Sequence, residues 1–228
     1  MANIKTPAKD KVPLGQKAAF GAGHLVLNLY PGALGFFMFF LLTAFGMDPL
    51  LAGLLGGLPR FFDAVTDPIM GFISDNTSSK WGRRRPYILV GGILSAITFV
   101  LLWQLDETNS SDYNFWYFLI MSMVFLIGNT MFATPLVGLG YEMTSDYNER
   151  TRLMAFSQTV GLLAWVIVPW FWVIIADPDF FSNQAEGVRT MAIYVGIACF
   201  LLGLLPAIFC RGMDSANMGN RKKLTFTS

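Results

Sequence analysis

In Arg60-Phe-Phe-Asp63-Ala-Val-Thr66-Asp67-Pro68, one arginine and two aspartates lie inside a segment that is otherwise apolar enough to cross a membrane. A charged side chain at the centre of a spanning helix costs about 2.5–3.5 kcal/mol on insertion scales. Because the chain keeps three such charges within one short stretch, the stretch predicts a functional site inside a membrane helix.

The composition predicts an all-α polytopic membrane protein. The chain has 228 residues, of which 54% are hydrophobic and only 14% are charged, whereas soluble domains carry roughly 25% charged residues. Long apolar segments alternate with short polar breaks, and each reaches the length of about 20 residues that a spanning helix needs. Six transmembrane helices are therefore predicted, at residues 18–45, 49–74, 86–105, 114–141, 152–176 and 188–210.

The distribution of basic residues predicts the orientation in the membrane. Of the 16 lysines and arginines, 14 lie in the N-terminal tail, the 75–85 loop, the 142–152 loop and the C-terminal tail. Lysine and arginine concentrate in cytoplasmic loops, so we expect both termini to be cytoplasmic in an inner or plasma membrane. The predicted domains are a cytoplasmic N-terminal tail, a six-helix transmembrane domain, and a cytoplasmic C-terminal tail or the start of an interdomain loop, at residues 1–17, 18–210 and 211–228.

The spacing of the intramembrane charges predicts a cation site. Asp63 and Asp67 are four residues apart, which places both carboxylates on one face of a helix. Thr66 adds a hydroxyl oxygen, and Arg60 lies one turn before Asp63. Two carboxylates with neutral oxygens suit a hard monovalent cation or a bound proton. In the alternative interpretation, Arg60 only neutralises an aspartate and so holds two helices together.

The loop after the second segment predicts an ionic latch. Asp75 ends one helix, Gly82 precedes the arginines Arg83 and Arg84, and Pro86 begins the next helix. A carboxylate against an arginine cluster at a helix end forms strong charge-assisted hydrogen bonds, which hold one of two conformations. Positive-inside topology alone is the other explanation, and it accounts for the arginines but not for the spacing of the glycines and the aspartate.

Three motifs resemble one transporter family. The loop motif, with glycines at positions 71 and 82 around Asp75, resembles the cytoplasmic signature loop of the major facilitator superfamily. The stretch 60–71 and the segment Trp81-Gly-Arg-Arg-Arg-Pro86 are similar to the glycoside–pentoside–hexuronide:cation symporters, the melibiose-carrier family. The segment 135–152 is similar to that family's junction between helices IV and V.

The resemblance implies a coupling site with Na⁺ or H⁺ as the coupling ion and no other metal or cofactor. Asp63 and Asp67 match the family's cation-site aspartates, with Arg60 as their charge partner. Thr66 stands where the melibiose carrier has an asparagine ligand, and Thr130 matches a helix IV threonine. The gating latch that we expect consists of Gly71, Asp75, Gly82, Arg83, Arg84, Glu142 and Arg150.

The sugar contacts of that family are missing from this chain. Where the melibiose carrier has an aspartate, a tryptophan and an arginine, the chain has Ala133, Val137 and Gln158. A galactoside-type substrate is therefore not expected. Four polar side chains within the predicted helices are substrate-binding candidates, although each alone also suits a hydrogen bond between packed helices: His24, Asn28, Asn129 and Gln158.

The family fold has twelve helices in two six-helix halves, with the site between them, so this chain matches one half. A fragment, a half with a separately encoded partner, and a homodimer of halves are all compatible with the sequence. We expect a half-transporter that pairs with a second half in the lipid bilayer. The predicted function is cation-coupled secondary transport of a small polar, sugar-like solute by alternating access.

A non-transporting receptor, assembly factor or scaffold derived from a transporter half is the alternative. An enzyme is not expected, because the sequence contains no HExxH, no GxSxG and no serine–histidine arrangement. No nucleic-acid partner is expected either.

Overall fold

The computed structural model describes Pro7 and residues 10–212, and this part of the chain forms six α-helices and no β-strand. The six apolar segments predicted from the sequence are confirmed as helices, with ends that move by five residues or fewer. The predicted C-terminal tail lies almost entirely outside the described residues. The helices are α1 (Leu14–Thr43), α2 (Pro49–Asn76), α3 (Arg85–Leu102), α4 (Ser111–Glu142), α5 (Tyr147–Ala176) and α6 (Gln184–Phe209).

Four helices begin at a polar capping residue. Asp48, Ser110, Asp146 and Asn183 precede α2, α4, α5 and α6, and each side chain accepts a hydrogen bond from a backbone N–H two or three residues further on, at 2.7–3.3 Å. The first N–H groups of a helix have no partner within the helix, so such a cap removes an unsatisfied donor. These short polar residues therefore set the ends of the long apolar segments.

Five of the six described helices are long and apolar enough to cross a membrane, namely α1, α3, α4, α5 and α6. The exception is α2, which has 28 residues but carries Arg60, Asp63, Asp67 and Asp75. These charges lower its average hydropathy without shortening it. Because α2 lies alongside α4, the six helices form one membrane bundle, and the protein is an integral membrane protein.

Helices α1 and α4 have the most neighbours in the bundle, and each of the other helices packs on one of them. The closest neighbours are α3 with α4 and α6, α1 with α5 and α6, and α2 with α4. Side-chain and backbone contacts set the directions: Gly71 and Asp67 of α2 lie against Thr134 and Thr130 of α4, so these two helices run parallel. In contrast, α1 runs antiparallel to α4, because its residues 20 and 23 lie against residues 140 and 136.

Glycines bring α3 and α4 into backbone contact. A Cβ atom built on Gly91 would lie 2.4 Å from the backbone nitrogen of Phe132, and one built on Gly128 would lie 2.8 Å from the backbone nitrogen of Ser95. No side chain fits at these distances. Small residues are the usual means by which membrane helices approach closely, because packing rather than water exclusion drives their association.

We expect Gly91→Ala to destabilise the bundle, because the added methyl group forces α3 and α4 apart. Overpacking of this kind costs about 1–3 kcal/mol, which lowers the apparent melting temperature of the purified protein, followed by tryptophan fluorescence in detergent. Gly53→Ala is the matched control, since a Cβ atom there has no neighbour within 4 Å. Equal melting temperatures for the two variants would contradict the close approach of α3 and α4.

Candidate functional site

The two intramembrane aspartates lie where α2 packs against α4. The hydroxyl of Thr130 on α4 donates to Asp67 Oδ1 at 3.0 Å. Thr130 is only 3% exposed, so the hydrogen bond forms inside the bundle. The spacing of four residues between Asp63 and Asp67 therefore turns both carboxylates toward α4, as predicted.

Two buried oxygen atoms beside this hydrogen bond have no partner among the described residues. They are Oδ1 of Asp63 on α2 and Oδ1 of Asn129 on α4. A buried polar atom without a hydrogen bond costs about 1–3 kcal/mol, so such atoms are uncommon in folded proteins and need an explanation. Both oxygens are available to a ligand that carries positive charge.

A cavity of about 370 Å³ opens between α2 and α4 at these atoms, and we call it the seam cavity. Its position explains why α4 carries polar residues at this depth of the membrane. It is lined by Asp63, Asp67, Asn129, Thr130, Ala133, Thr134 and Val137.

A second cavity, of about 210 Å³, lies between α1, α2 and α4, and we call it the three-helix cavity. Asp63 and Asn129 line both cavities. The two unpartnered oxygens thus belong to side chains that stand between two adjoining spaces. Apart from these two residues, the three-helix cavity is lined mainly by apolar side chains.

Arg60, the predicted charge partner of the aspartates, lines the three-helix cavity together with Asp63. Within the described residues, its guanidinium forms no ion pair within 4.0 Å. The side chain is exposed. The interpretation in which Arg60 only neutralises an aspartate therefore lacks the contact that it requires.

Thr66 is not grouped with the other predicted cation ligands. Its hydroxyl donates to the backbone oxygen of Phe62 at 3.2 Å and is 3.4 Å from that of Asp63, and it lines neither cavity. The reason is rotation about the helix axis. Thr66 is adjacent in sequence to Asp67, so it points about 100° away from the face that packs on α4.

The four substrate-binding candidates do not converge on one pocket. His24 is buried, with Nδ1 3.2 Å from the Phe20 carbonyl oxygen. Asn28 donates to the His24 carbonyl oxygen at 2.9 Å and accepts from Trp165 Nε1 at 3.3 Å. The Asn28 side chain therefore joins α1 to α5, whereas the His24 ring is bonded within α1. Gln158 is exposed on α5, so only Asn129 lines a described cavity.

The predicted latch residues Asp75, Arg83, Arg84 and Glu142 form an ionic cluster at one end of α2 and α4. Arg84 Nη2 is 2.5 Å from Asp75 Oδ1, and Arg84 Nε is 2.9 Å from Glu142 Oε1. Arg83 Nε donates to the same glutamate oxygen at 2.9 Å. One carboxylate on α4 thus holds two arginines from the loop after α2.

Two glycines, Gly82 and Gly138, permit this arrangement. Gly82 has a φ of 95°, a conformation that glycine adopts without strain. A Cβ atom on Gly138 would lie 1.0 Å from Arg84 Nη1, so the guanidinium crosses α4 where the helix has no side chain. Gly71, a predicted member of the latch, lies where α2 meets Thr134, with its Cβ position 3.6 Å from that side chain. Sequence reasoning gave Gly138 no role, since the need for glycine there comes from a residue of another helix.

Arg150 does not belong to the ionic cluster, contrary to the prediction. Its Nη2 donates to the backbone oxygen of Thr144 at 3.1 Å, and its guanidinium lies 6.0 Å from the centre of the Tyr141 ring. The carboxylate nearest to it in sequence, Glu149, instead binds Lys17 at 2.6 Å. Arg150 is thus held within the turn between α4 and α5.

The polar side chains that line the seam cavity offer oxygen donors, which are hard ligands. Among the described residues, no group of three or more His, Cys, Asp or Glu side chains could hold a metal ion. Cys199 and Cys210 are free and buried.

Comparison with known proteins relates this chain to transporters. The sequence profile of the MFS/sugar transport protein family matches residues 19–225. An uncharacterized symporter of Synechocystis is 31% identical over 204 residues, which are 86% of this chain and 38% of that protein. The mouse sodium-dependent lysophosphatidylcholine symporter 1 is 30% identical over 70% of this chain and 31% of its own length.

The inner membrane symporter YicJ of Escherichia coli is 27% identical over 65% of this chain and 31% of that protein. The chain thus spans about a third of the length of these curated relatives. The profile covers most of the chain, and the six helices are consistent with the N-terminal half of a major facilitator transporter. The chain therefore belongs to the MFS/sugar transport protein family.

Proposed function

We propose that this chain is the cation-binding half of a symporter that carries a small solute, with Na⁺ or H⁺ bound between α2 and α4. One observation carries the proposal: two buried oxygens without partners, on Asp63 and Asn129, lie beside the Asp67–Thr130 hydrogen bond. All of these groups line the seam cavity. Symporters among the curated relatives, including a sodium-dependent one, support the same assignment.

The chemistry of the site favours a small cation over a neutral ligand. Carboxylate and amide oxygens are hard ligands that replace the water around a hard cation. Two carboxylates one helical turn apart repel each other unless a cation or a proton lies between them. The bound charge therefore stabilises the packing of α2 on α4, which is how the occupancy of the site can favour one conformation.

The ionic cluster is proposed to hold one of the two states of alternating access. It joins the loop after α2 to the end of α4 through Glu142, and we propose that this end is cytoplasmic, since arginines concentrate in cytoplasmic loops. Because α2 packs mainly on α4, breaking the cluster frees one end of α2. A second six-helix half, from the same or another chain, is proposed to complete the cavity.

We expect Asp63→Asn and Asp67→Asn each to weaken Na⁺ binding by at least about tenfold, because one contact to a charged group contributes about 1.5–3 kcal/mol. The measurement is equilibrium binding of radioactive Na⁺ to the purified chain in nanodiscs. Asp177→Asn, in the loop after α5, is the control for a change of net charge. A proton-coupled site would show no saturable Na⁺ binding and would take up protons when solute binds.

Variants of two threonines, one on α4 and one on α2, test whether the cation binds in the seam between these helices. We expect Thr130→Val to weaken Na⁺ binding, because Asp67 loses the hydrogen bond that holds its carboxylate toward α4. Thr66→Val is a matched change on the opposing helix and should leave the affinity unaltered, since that hydroxyl is bonded to its own helix. A loss of affinity in Thr66→Val alone would place the cation on α2 rather than in the seam.

We expect Glu142→Gln to loosen the ionic cluster, because both arginines lose the charge that they share. Deuterium exchange measured by mass spectrometry should increase in residues 76–84, and the apparent melting temperature should fall by a few degrees. Glu107→Gln, in the exposed loop after α3, is the control. Unchanged exchange in residues 76–84 would contradict the proposed latch.

A further inference from the structure

The three-helix cavity has polar groups at one end only. Arg60, Asp63 and Asn129 lie further along the parallel helices α2 and α4 than the apolar residues Leu55 and Phe118, which line the same cavity. On antiparallel α1, the lining residue Met38 lies at the apolar end, with its methyl group 4.0 Å from the Cβ position of Gly56. The cavity is thus divided into an apolar part and a short polar part.

The polar part holds Arg60 and Asp63 without a direct ion pair between them. Arg60 lines the cavity, and within the described residues it forms no ion pair within 4.0 Å. A guanidinium presents five N–H donors and no acceptor, and it binds phosphate and carboxylate groups through paired hydrogen bonds. The lining residues of α1 and α4 are uncharged, so the competing charge for an anionic group on Arg60 is that of Asp63, which a bound cation offsets.

Beyond the charged end of this cavity, the remaining polar side chains, Ser122 and Tyr30, are already engaged within the bundle. The Ser122 hydroxyl donates to the backbone oxygen of Leu119 at 2.8 Å. Tyr30 is fully buried, and its hydroxyl lies 3.5 Å from Ser95 Oγ. A sugar carries several hydroxyl groups around its ring, and burying them without partners would cost more than their contacts return.

We infer that the three-helix cavity binds an amphipathic anion, with its phosphate or carboxylate group on Arg60 and its apolar chain against α1 and α4. This inference rests on the proposed symport function, for which it names the class of solute. It also gives Arg60 and Asp63 separate partners: the solute anion binds Arg60, and the coupling cation binds Asp63. The two bound charges then neutralise each other across one turn of α2.

The test compares two probes that share a chain and differ in the headgroup. Octyl phosphate and octyl glucoside are titrated calorimetrically into the purified chain in nanodiscs, and the heats of empty nanodiscs are subtracted. We expect octyl phosphate to bind at least about tenfold more tightly, as a charge-assisted contact is roughly twice as strong as a neutral one. Arg60→Gln should abolish this preference and leave octyl glucoside binding unchanged.

A cavity-filling variant tests the location. A Cβ atom on Gly35 has no neighbour within 4 Å, and Gly35 lines the cavity. Gly35→Leu should therefore fill the space without displacing a helix and abolish octyl phosphate binding. Gly57→Leu is the matched control, since its Cβ position is equally open but does not line the cavity.

Binding of radioactive Na⁺ to the same samples separates this inference from the proposed function. Retained Na⁺ binding in Gly35→Leu, with octyl phosphate binding lost, supports both. Equal binding of the two probes, tighter binding of octyl glucoside, or an octyl phosphate affinity that Arg60→Gln and Gly35→Leu leave unchanged would overturn the inference. If the inference is overturned in this way but Na⁺ binding remains saturable, the proposed cation site is still supported. If octyl phosphate binds selectively but Na⁺ does not bind, only the proposed Na⁺ coupling is overturned.

Discussion

The packing of α2 on α4 is the constraint on which the rest of this structure depends. A helix with an arginine and two aspartates in its central turns is costly to place in lipid, and α4 offers polar groups at the same depth. The Thr130 hydroxyl binds Asp67, and Asn129 lies beside Asp63 along the shared cavities. Parallel orientation of the two helices makes this match possible, since successive turns of α2 meet successive turns of α4.

The ionic cluster extends the same constraint to the end of the helix pair. Glu142 of α4 binds Arg83 and Arg84 from the loop after α2, and Gly138 leaves the space through which the second guanidinium crosses α4. The two helices are therefore joined at their centre by the seam and at one end by charges. Since α2 has little contact with α1, its main packing partner is α4.

Hydropathy and basic-residue patterns predicted the helices, because each apolar segment is long and independent of its neighbours. The spacing of Asp63 and Asp67 likewise predicted a shared face, which is a property of one helix. Features that depend on two helices were not predictable in this way. Thr66 was assigned to the cation site and Arg150 to the latch, since sequence spacing contains neither the rotation of a helix against its neighbour nor the direction of a long side chain.

The separation of Arg60 from Asp63 has a consequence for coupling. Opposite charges one turn apart on a helix commonly attract each other, at about 0.2–0.5 kcal/mol per pair, so a close ion pair would hold both side chains in one conformation. Without that pair, Asp63 keeps a buried oxygen for a cation and Arg60 keeps its donors for an anion. Each bound charge then lowers the electrostatic cost of binding the other, which by linkage makes the two affinities mutually dependent. On the proposed assignment, a single turn of α2 carries both groups that couple a cation to an anionic solute.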